Sequence, residues 1–538
     1  GLSGLFGVSG VCDGGKFPEA QSAILREVTR MGSEPVSAAE LAKAVKQFTV
    51  GTLSSRKTME GQAQDLGGNW IATQDLHFSE RYLAAVRAVT PADLVRVVKT
   101  YLRDDNRTVF ALLPKETGAP KEFEVATAVT HPIVKRILSN GLRVLVKEDH
   151  RLPFVELRAV FEGGLRIETA ENNGITSMLS RLFIKGTPTR SAEDIAREIE
   201  SMGGSIEAYA GNNTFGLSGE VMREDLKQGL GLFTEILLRP TFPESAFERE
   251  REAQLASIRG QRDQLLQCAF KAMRRGLHGD QGYGLDALGR ESVVRGLTPA
   301  DLREFHARWT VPGNAVLAVF GDLDPDDLVT TLEALLGGWA DRPRQPLPEA
   351  RPAERVARSE ESREKEQAVV VLGFPGTHLQ SPDRFALELI QEACSDMGSR
   401  LFMRIRDELG LAYYVGANLL TGQTPGHFAF YCGTAPEKTG LVEEELRAQA
   451  EILRTEGLSS EELARAKAKV IGQRKIARQE LGGFAMSTAL DELYGLGHAH
   501  FETETQRFEA VTEEDIRAAA RHYLDPARSV VAIIRGQG

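Results

Sequence analysis

The sequence predicts an α+β protein assembled from repeated domains, each a mostly antiparallel sheet with helices packed on one face. Three observations carry the prediction. One segment type recurs three times at spacings of about 210 residues. Amphipathic stretches of helix length alternate with short apolar runs of strand length. Two polar, proline-bearing stretches divide the chain between recurrences.

The recurring segment reads Val89-Thr90-Pro91-Ala92-Asp93-Leu94, then Leu297-Thr298-Pro299-Ala300-Asp301-Leu302, then Val511-Thr512-Glu513-Glu514-Asp515-Ile516. Each is a helix start: Thr caps the first turn and the acids behind it favour the positive end of the helix dipole. Each helix is expected to run to an aromatic residue, at Tyr101, Trp309 and Tyr523. A polar turn and an apolar strand should follow, at 109–113, 315–320 and 530–534. The first and last copies extend further. Gly4-Leu5-Phe6 echoes Gly426-His427-Phe428, and Val36 to Leu41 echoes Leu458 to Leu463, all in one register of 422 residues. Residues 1–114 thus resemble 423–536, and no counterpart of about 365–422 stands at the front. The expectation is a chain that begins inside a domain, completed by a longer polypeptide or by a partner chain.

Residues 115–133 and 340–366 read as linkers, the second rich in Pro, Arg and Glu. Residues 134–339 read as a complete domain and 367–538 as the last one. In the complete domain, strands are expected at 142–147, 154–161, 205–210 and 214–220. Helices are expected at 173–185, 191–202, 223–238 and 244–265.

Charge and composition narrow the function. Acidic residues outnumber basic ones, 76 to 65, for a net charge of −11. That disfavours a nucleic-acid backbone or an anionic membrane as the main partner. No apolar run reaches the roughly 18 residues of a membrane span. Cys12, Cys268, Cys394 and Cys432 are scattered without a C-x-x-C pair and read as buried, reduced thiols. His498-Ala499-His500 reads as a surface loop, His278 as a structural hydrogen-bonding residue, and Glu248 to Glu252 as a solvated helix face. Ser177 and Ser180 lie in no G-x-S-x-G elbow, and there is no phosphate loop. The compartment stays open, compatible with a bacterial-type cytoplasm or periplasm.

Several ordered motifs carry a family resemblance. They are Asn140-Gly141-Leu142-Arg143-Val144-Leu145, Glu162-Gly163-Gly164-Leu165-Arg166, the run from Gly174 to Thr187, Gly203-Gly204-Ser205-Ile206-Glu207-Ala208 and Gly282-Tyr283-Gly284. Together they resemble the insulinase, pitrilysin and mitochondrial processing peptidase family. The resemblance implies processing-peptidase-like domains, four of them forming two halves around a peptide-binding chamber. It also implies zinc chemistry through H-x-x-E-H on a helix, two His binding the metal and the Glu activating its water.

The positions matching that motif here are Ser177, Ser180 and Arg181, and the position of the further downstream Glu ligand is Ser257. A guanidinium does not deprotonate and hydroxyls are weak neutral ligands, so the expectation is no metal and no catalytic residue in this chain. Zinc is expected in a missing N-terminal part. The stretch from Ser399 to Tyr413 resembles the segment where the family places an Arg and a Tyr seven residues apart. That implies that Arg406 and Tyr413 contact bound peptide opposite a zinc domain. The expected function is therefore the non-catalytic C-terminal part of a zinc metalloendopeptidase acting on unstructured peptides, with an N-terminal catalytic half or a separate catalytic subunit as partner. The alternatives are a structural or binding subunit, or the inactive partner of a separately encoded active one.

Overall fold

The computed structural model describes residues 6–10, 12, 14–55, 59–103, 107–111, 131–151, 153–343, 346–347 and 356–536. It divides into two units, Gly1–Ala128 and Val129–Gly538.

The described residues of the first unit form helices α1 (Phe17–Ser33), α2 (Ala38–Ser55), α3 (Met59–Thr73), α4 (Phe78–Arg87) and α5 (Pro91–Tyr101). Residues 109–111, expected as strand, are irregular, and Leu112 and Leu113 lie outside the described residues, as do Gly4, Leu5 and the expected linker from 115 to 130.

In the second unit the first sheet is built from β1 (Val134–Ile137), β2 (Arg143–Glu148), β3 (Phe154–Glu162), β4 (Ser205–Ala210), β5 (Thr214–Met222) and β6 (Ala315–Gly321). Its order is β1-β2-β6-β3-β5-β4, antiparallel except for the parallel β2–β6 pair. The helices of this lobe are α6 (Ile175–Leu182), α7 (Ala192–Ser201), α8 (Leu226–Leu238), α9 (Glu244–Gln261), α10 (Leu265–His278), α11 (Glu291–Gly296), α12 (Pro299–Trp309) and α13 (Pro325–Leu336).

The second sheet contains β7 (Arg358–Arg363), β8 (Ala368–Pro375), β9 (Tyr414–Leu420), β10 (His427–Thr434) and β11 (Val530–Gly536), in the order β7-β11-β8-β10-β9. Its helices are α14 (Arg384–Ala393), α15 (Thr439–Thr455), α16 (Ser460–Ala477), α17 (Leu481–Leu493), α18 (His500–Ala510) and α19 (Glu513–Tyr523). A π-helical turn spans Phe402–Glu408. Strand β7 falls inside the stretch expected as linker. Its sequence, RSEESR, has no apolar periodicity because it is an exposed edge strand. It needs only backbone pairing to β11, reinforced by Arg535 to Glu360 at 2.8 Å.

All three recurring segments form the expected capping box. Thr90, Thr298 and Thr512 each accept the N–H of the Asp three residues on, and that Asp accepts the Thr N–H. The helices end at Tyr101, Trp309 and Tyr523, as read from the sequence. The 422-residue register extends well beyond those motifs. The first residues of α1, α2, α3, α4 and α5 stand 422 positions before those of α15, α16, α17, α18 and α19.

Among the described residues, the positions that match β10 and β11 in the first copy form no strand. Strands β10 and β11 pair with β8, and β10 also with β9. A helix makes its hydrogen bonds locally, whereas a strand needs a neighbour.

The expectation of helices on one face holds for each lobe's own layer, and the other face carries a second layer. Val144, Val146 and Leu157 point into a core shared with the first lobe's helices. On the opposite face, Leu145, Val160, Val316 and Phe320 pack under Phe484, Ala485, Ala489 and Leu493 of α17, a helix of the second lobe. The exchange is reciprocal. Ala269 and Met273 of α10, from the first lobe, cover Val369, Val371, Val530 and Ile534 of the second sheet. This explains why β6 and β8 read as continuous apolar runs: both of their faces are buried.

Candidate functional site

Helix α6 carries three of the four positions matched to the zinc motif. Gly174 precedes it at φ +100°, where a Cβ would come within 2.8 Å of the Leu288 carbonyl oxygen. That close approach lets the chain turn beneath Glu168, a fully buried carboxylate at the helix start. Glu168 accepts from the backbone N–H of Gly174 (2.7 Å) and Thr176 (3.0 Å) and from the Asn173 side chain (2.8 Å). Burial nevertheless pushes its pKa up to about 7.

The face Ile175, Met178, Leu179, Leu182 is core. Ser177, Ser180 and Arg181 therefore lie on the half-exposed side.

That side meets α9. Glu250 on α9 lies 3.2 Å from the Lys185 ammonium and 3.8 Å from the Arg181 guanidinium. Ser180 Oγ donates to the Ser177 carbonyl oxygen at 2.9 Å. Ser257 Oγ donates to the Ala253 carbonyl of its own helix at 2.9 Å, and no hydrogen bond joins it to α6 among the described residues. The structure thus brings Arg181 to Glu250 and leaves Ser257 apart.

These residues do not fit a zinc ion. Glu250, the carboxylate that faces them, is shared by Lys185 and Arg181, and the other donors at the matched positions are neutral hydroxyls. Among the described residues no group of three or more His, Cys, Asp or Glu side chains could hold a metal.

Glu250 was missed by reading residues 248–252 as a solvated face. The stripe Phe247, Gln254, Ile258 on α9 is buried, and a residue three positions after Phe247 borders it. That spacing was the available signal. Gln254 fixes α9 against α6, donating to the carbonyls of Gly174 (3.0 Å) and Leu288 (2.7 Å).

Arg406 lies on the π-helical turn, and Tyr413 directly precedes β9. Arg406 is exposed on the π-helical turn, its guanidinium carbon 4.6 Å from the centre of the Phe402 ring. A left-handed turn at Gly410 (φ +59°) separates it from Tyr413. Tyr413 donates its backbone N–H to the Gly433 carbonyl (2.8 Å) and presents an exposed ring.

Two other readings change. His500 is buried and takes a hydrogen bond from Arg384 (2.6 Å), its pKa lowered to about 4 by burial and the surrounding arginines. It is part of an ion network with Glu504, Arg474 and Arg478, not of a surface loop. His278 makes ring contacts with Tyr283 and with buried His427 (centroids 5.9 and 6.1 Å), and its Nε2 has no hydrogen-bond partner among the described residues. Among the thiols, Cys394 and Cys432 are buried as expected, Cys268 is partly so and Cys12 is exposed.

Comparisons with known proteins agree with this architecture. The model described as insulinase (peptidase family M16) matches residues 143–285, and the peptidase M16 inactive domain matches 296–470. An uncharacterised zinc protease of Streptomyces coelicolor is 29% identical over 412 residues, covering 74% of this chain and 89% of that protein. One from Rickettsia felis is 29% identical over 350 residues, covering 64% of this chain and 83% of that protein. A crystal structure titled peptidase M16 inactive domain, from Pseudomonas fluorescens, matches with a TM-score of 0.70 at 21% identity, over 76% of this chain and 98% of that one. A protease from Helicobacter pylori matches equally well in fold, with a TM-score of 0.70 at 18% identity, over 76% and 100% of the two chains. The two family models together span more than half the sequence, and the chain belongs to the insulinase family of zinc peptidases, peptidase family M16.

Proposed function

We propose that this chain is the non-catalytic C-terminal part of a zinc metalloendopeptidase, enclosing unstructured peptides and lending Arg406 and Tyr413 to a zinc site on another polypeptide segment. One observation carries the reading. Where the family motif would place its ligands, α6 presents Ser177, Ser180 and Arg181, and Arg181 shares Glu250 with Lys185. A divalent cation there would meet two positive charges and one neutralised carboxylate.

The exposed Arg406 and Tyr413 support the second half of the reading. A guanidinium and a phenol both donate to a carbonyl oxygen that gains negative charge as water attacks, and such donors stabilise that charge more than the ground state.

The alternative, an inactive subunit pairing with a separately encoded active one or acting in structure or binding alone, draws on a specific finding. The Pseudomonas fluorescens structure titled inactive domain is covered over 98% of the solved chain by 76% of this one, which supports a fold that need not carry a zinc site of its own.

The test is zinc content and hydrolysis of a quenched, unstructured fluorogenic peptide. Residues 1–538 alone should bind no stoichiometric zinc and cleave nothing. Adding the zinc-bearing segment should produce cleavage that a chelator abolishes, with Tyr413→Phe and Arg406→Ala each lowering kcat by about 10²-fold. Chelator-sensitive cleavage by the chain alone, or one tightly held zinc on α6, would sink the proposal. Restoration only by a separately encoded subunit would favour the alternative.

A further inference from the structure

Arg406 stands on the π-helical turn among charged neighbours that are already engaged. Arg404 pairs with Glu408 at 2.9 Å and with Glu445 at 3.2 Å. Arg406 itself makes no hydrogen bond or ion pair among the described residues. What it has is a ring: its guanidinium carbon lies over Phe402, 4.6 Å from the centroid.

The difference matters for a group that is to bind a carbonyl. A carboxylate partner would occupy the N–H edge of a guanidinium and neutralise its charge. An aromatic face attracts the cation through the ring quadrupole and leaves the N–H donors around its edge unoccupied. Phe402 thus restricts a side chain with many rotamers without using the donors that side chain has to offer.

The ring itself is fixed. Phe402 is partly buried against the core of the second lobe, and its backbone N–H donates to Ser399 Oγ at 3.2 Å. Ile405, which precedes Arg406, is fully buried. The turn closes with a bond across five residues, from the Leu409 N–H to the Arg404 carbonyl at 3.2 Å, and π-helical turns of this kind recur at functional sites. At the tyrosine end, Thr434 Oγ donates to the Leu411 carbonyl (2.6 Å) and the Tyr413 N–H to the Gly433 carbonyl (2.8 Å), so β10 holds that side.

We propose that Phe402 is a positioning residue for Arg406: its ring face holds the guanidinium over the π-helical turn with the N–H edge open to the carbonyl of a bound peptide. The inference rests on the substrate-contact reading of Arg406 and adds the residue that orients this contact before substrate arrives.

Two measurements test it, and the first needs no activity. In the full chain, modification of Arg406 by phenylglyoxal, followed by mass spectrometry of the proteolytic peptide, should be about three-fold faster in Phe402→Leu. Phe402→Tyr, which keeps the ring, should return to the parent rate. Arg404, in the same turn, reports any general loosening and should react at an unchanged rate. The second measurement uses the chain together with the zinc-bearing segment. Phe402→Leu should lower kcat about five-fold with KM unchanged, because donors to a developing oxyanion act on the transition state. Phe402→Tyr should restore kcat, and in an Arg406→Ala background Phe402→Leu should have no further effect.

Equal rates of Arg406 modification in parent and Phe402→Leu overturn the proposal, as does a kcat loss of the same size in both backgrounds. Faster modification of Arg404 as well would assign Phe402 to the stability of the turn alone, which also overturns it. If Arg406→Ala leaves kcat unchanged while the modification rates behave as expected, the stack stands, and it is the substrate-contact reading, and with it the use of Phe402 in the reaction, that falls.

Discussion

An imidazole buried in its neutral form ties stability to pH. His427 is almost fully buried on β10 with Nδ1 unpartnered among the described residues, facing Arg274 and His278 of α10, and its Nε2 is reached by Asn418 Oδ1 at 3.3 Å. Burial, then the neighbouring His278 and Arg274, lowers its pKa to about 3. Because the folded value lies below the unfolded reference of about 6.5, the stabilisation is present above that pH. It is lost as pH falls through the interval towards 3, at about 1.4 kcal/mol per pH unit. Unfolding free energies from urea titrations at pH 7.5 and pH 5 should therefore differ more for the parent than for His427→Gln, by about 2 kcal/mol. Equal differences would refute the assignment. Glu156, Glu168 and Asp491, each raised to about 7 with burial as the leading cause, act in the opposite sense, losing stability as pH rises through 7. They are common to both proteins and cancel in the comparison. At this scale the three capping threonines were legible because the capping box is a local pattern. The pairing of Arg181 with Glu250 was not, since it joins two helices far apart in sequence.

Helices α10 and α17 were not among the elements read from the sequence, and their destination is less legible still. The run LGGFAMSTALDEL of α17 is apolar on more than one side, which signals burial, yet nothing local says that the sheet it covers belongs to the other lobe. Periodicity fixes an element and the face it buries. Partner choice depends on shape, as at Gly482, where a Cβ would fall within 2.1 Å of the Arg158 guanidinium and 2.8 Å of Glu156. The exchange predicts coupled unfolding. Phe484 packs edge-on against Phe320 of the first sheet (5.7 Å) and Phe501 (5.0 Å). Phe484→Ala should cost about 3 kcal/mol. Trp309 and Trp339 both lie in the first lobe. In a Trp70→Phe background their fluorescence transition should shift with the far-ultraviolet signal, although the mutated helix belongs to the second lobe. A tryptophan transition that stays in place while helicity is lost earlier would show that the lobes unfold separately.

Across the whole molecule, the 422-residue register supplies an internal control for what holds this fold together. Helices α5 and α19 have the same length, the same capping box and the same terminal tyrosine, so their local stabilisation is closely matched. Their packing is not. In α19, Ile516, Ala519, Ala520 and Tyr523 are buried, whereas Val98 is the buried residue of α5. Phe428 and Phe430 on β10 are fully buried, while Phe6 and Val8 at the matching positions are exposed. Isolated helices of this length are marginal in water, so protection of their amides must come from the layers around them. Hydrogen exchange of the full chain should find the amides of Leu94–Tyr101 exchanging at least about 100-fold faster than those of Ile516–Tyr523, a difference of roughly 3 kcal/mol in opening free energy. Comparable protection in the two helices would mean that the first unit gains its stability without the buried layer that the last domain relies on. The family architecture would then owe more to its helices alone than the packing of the second unit implies.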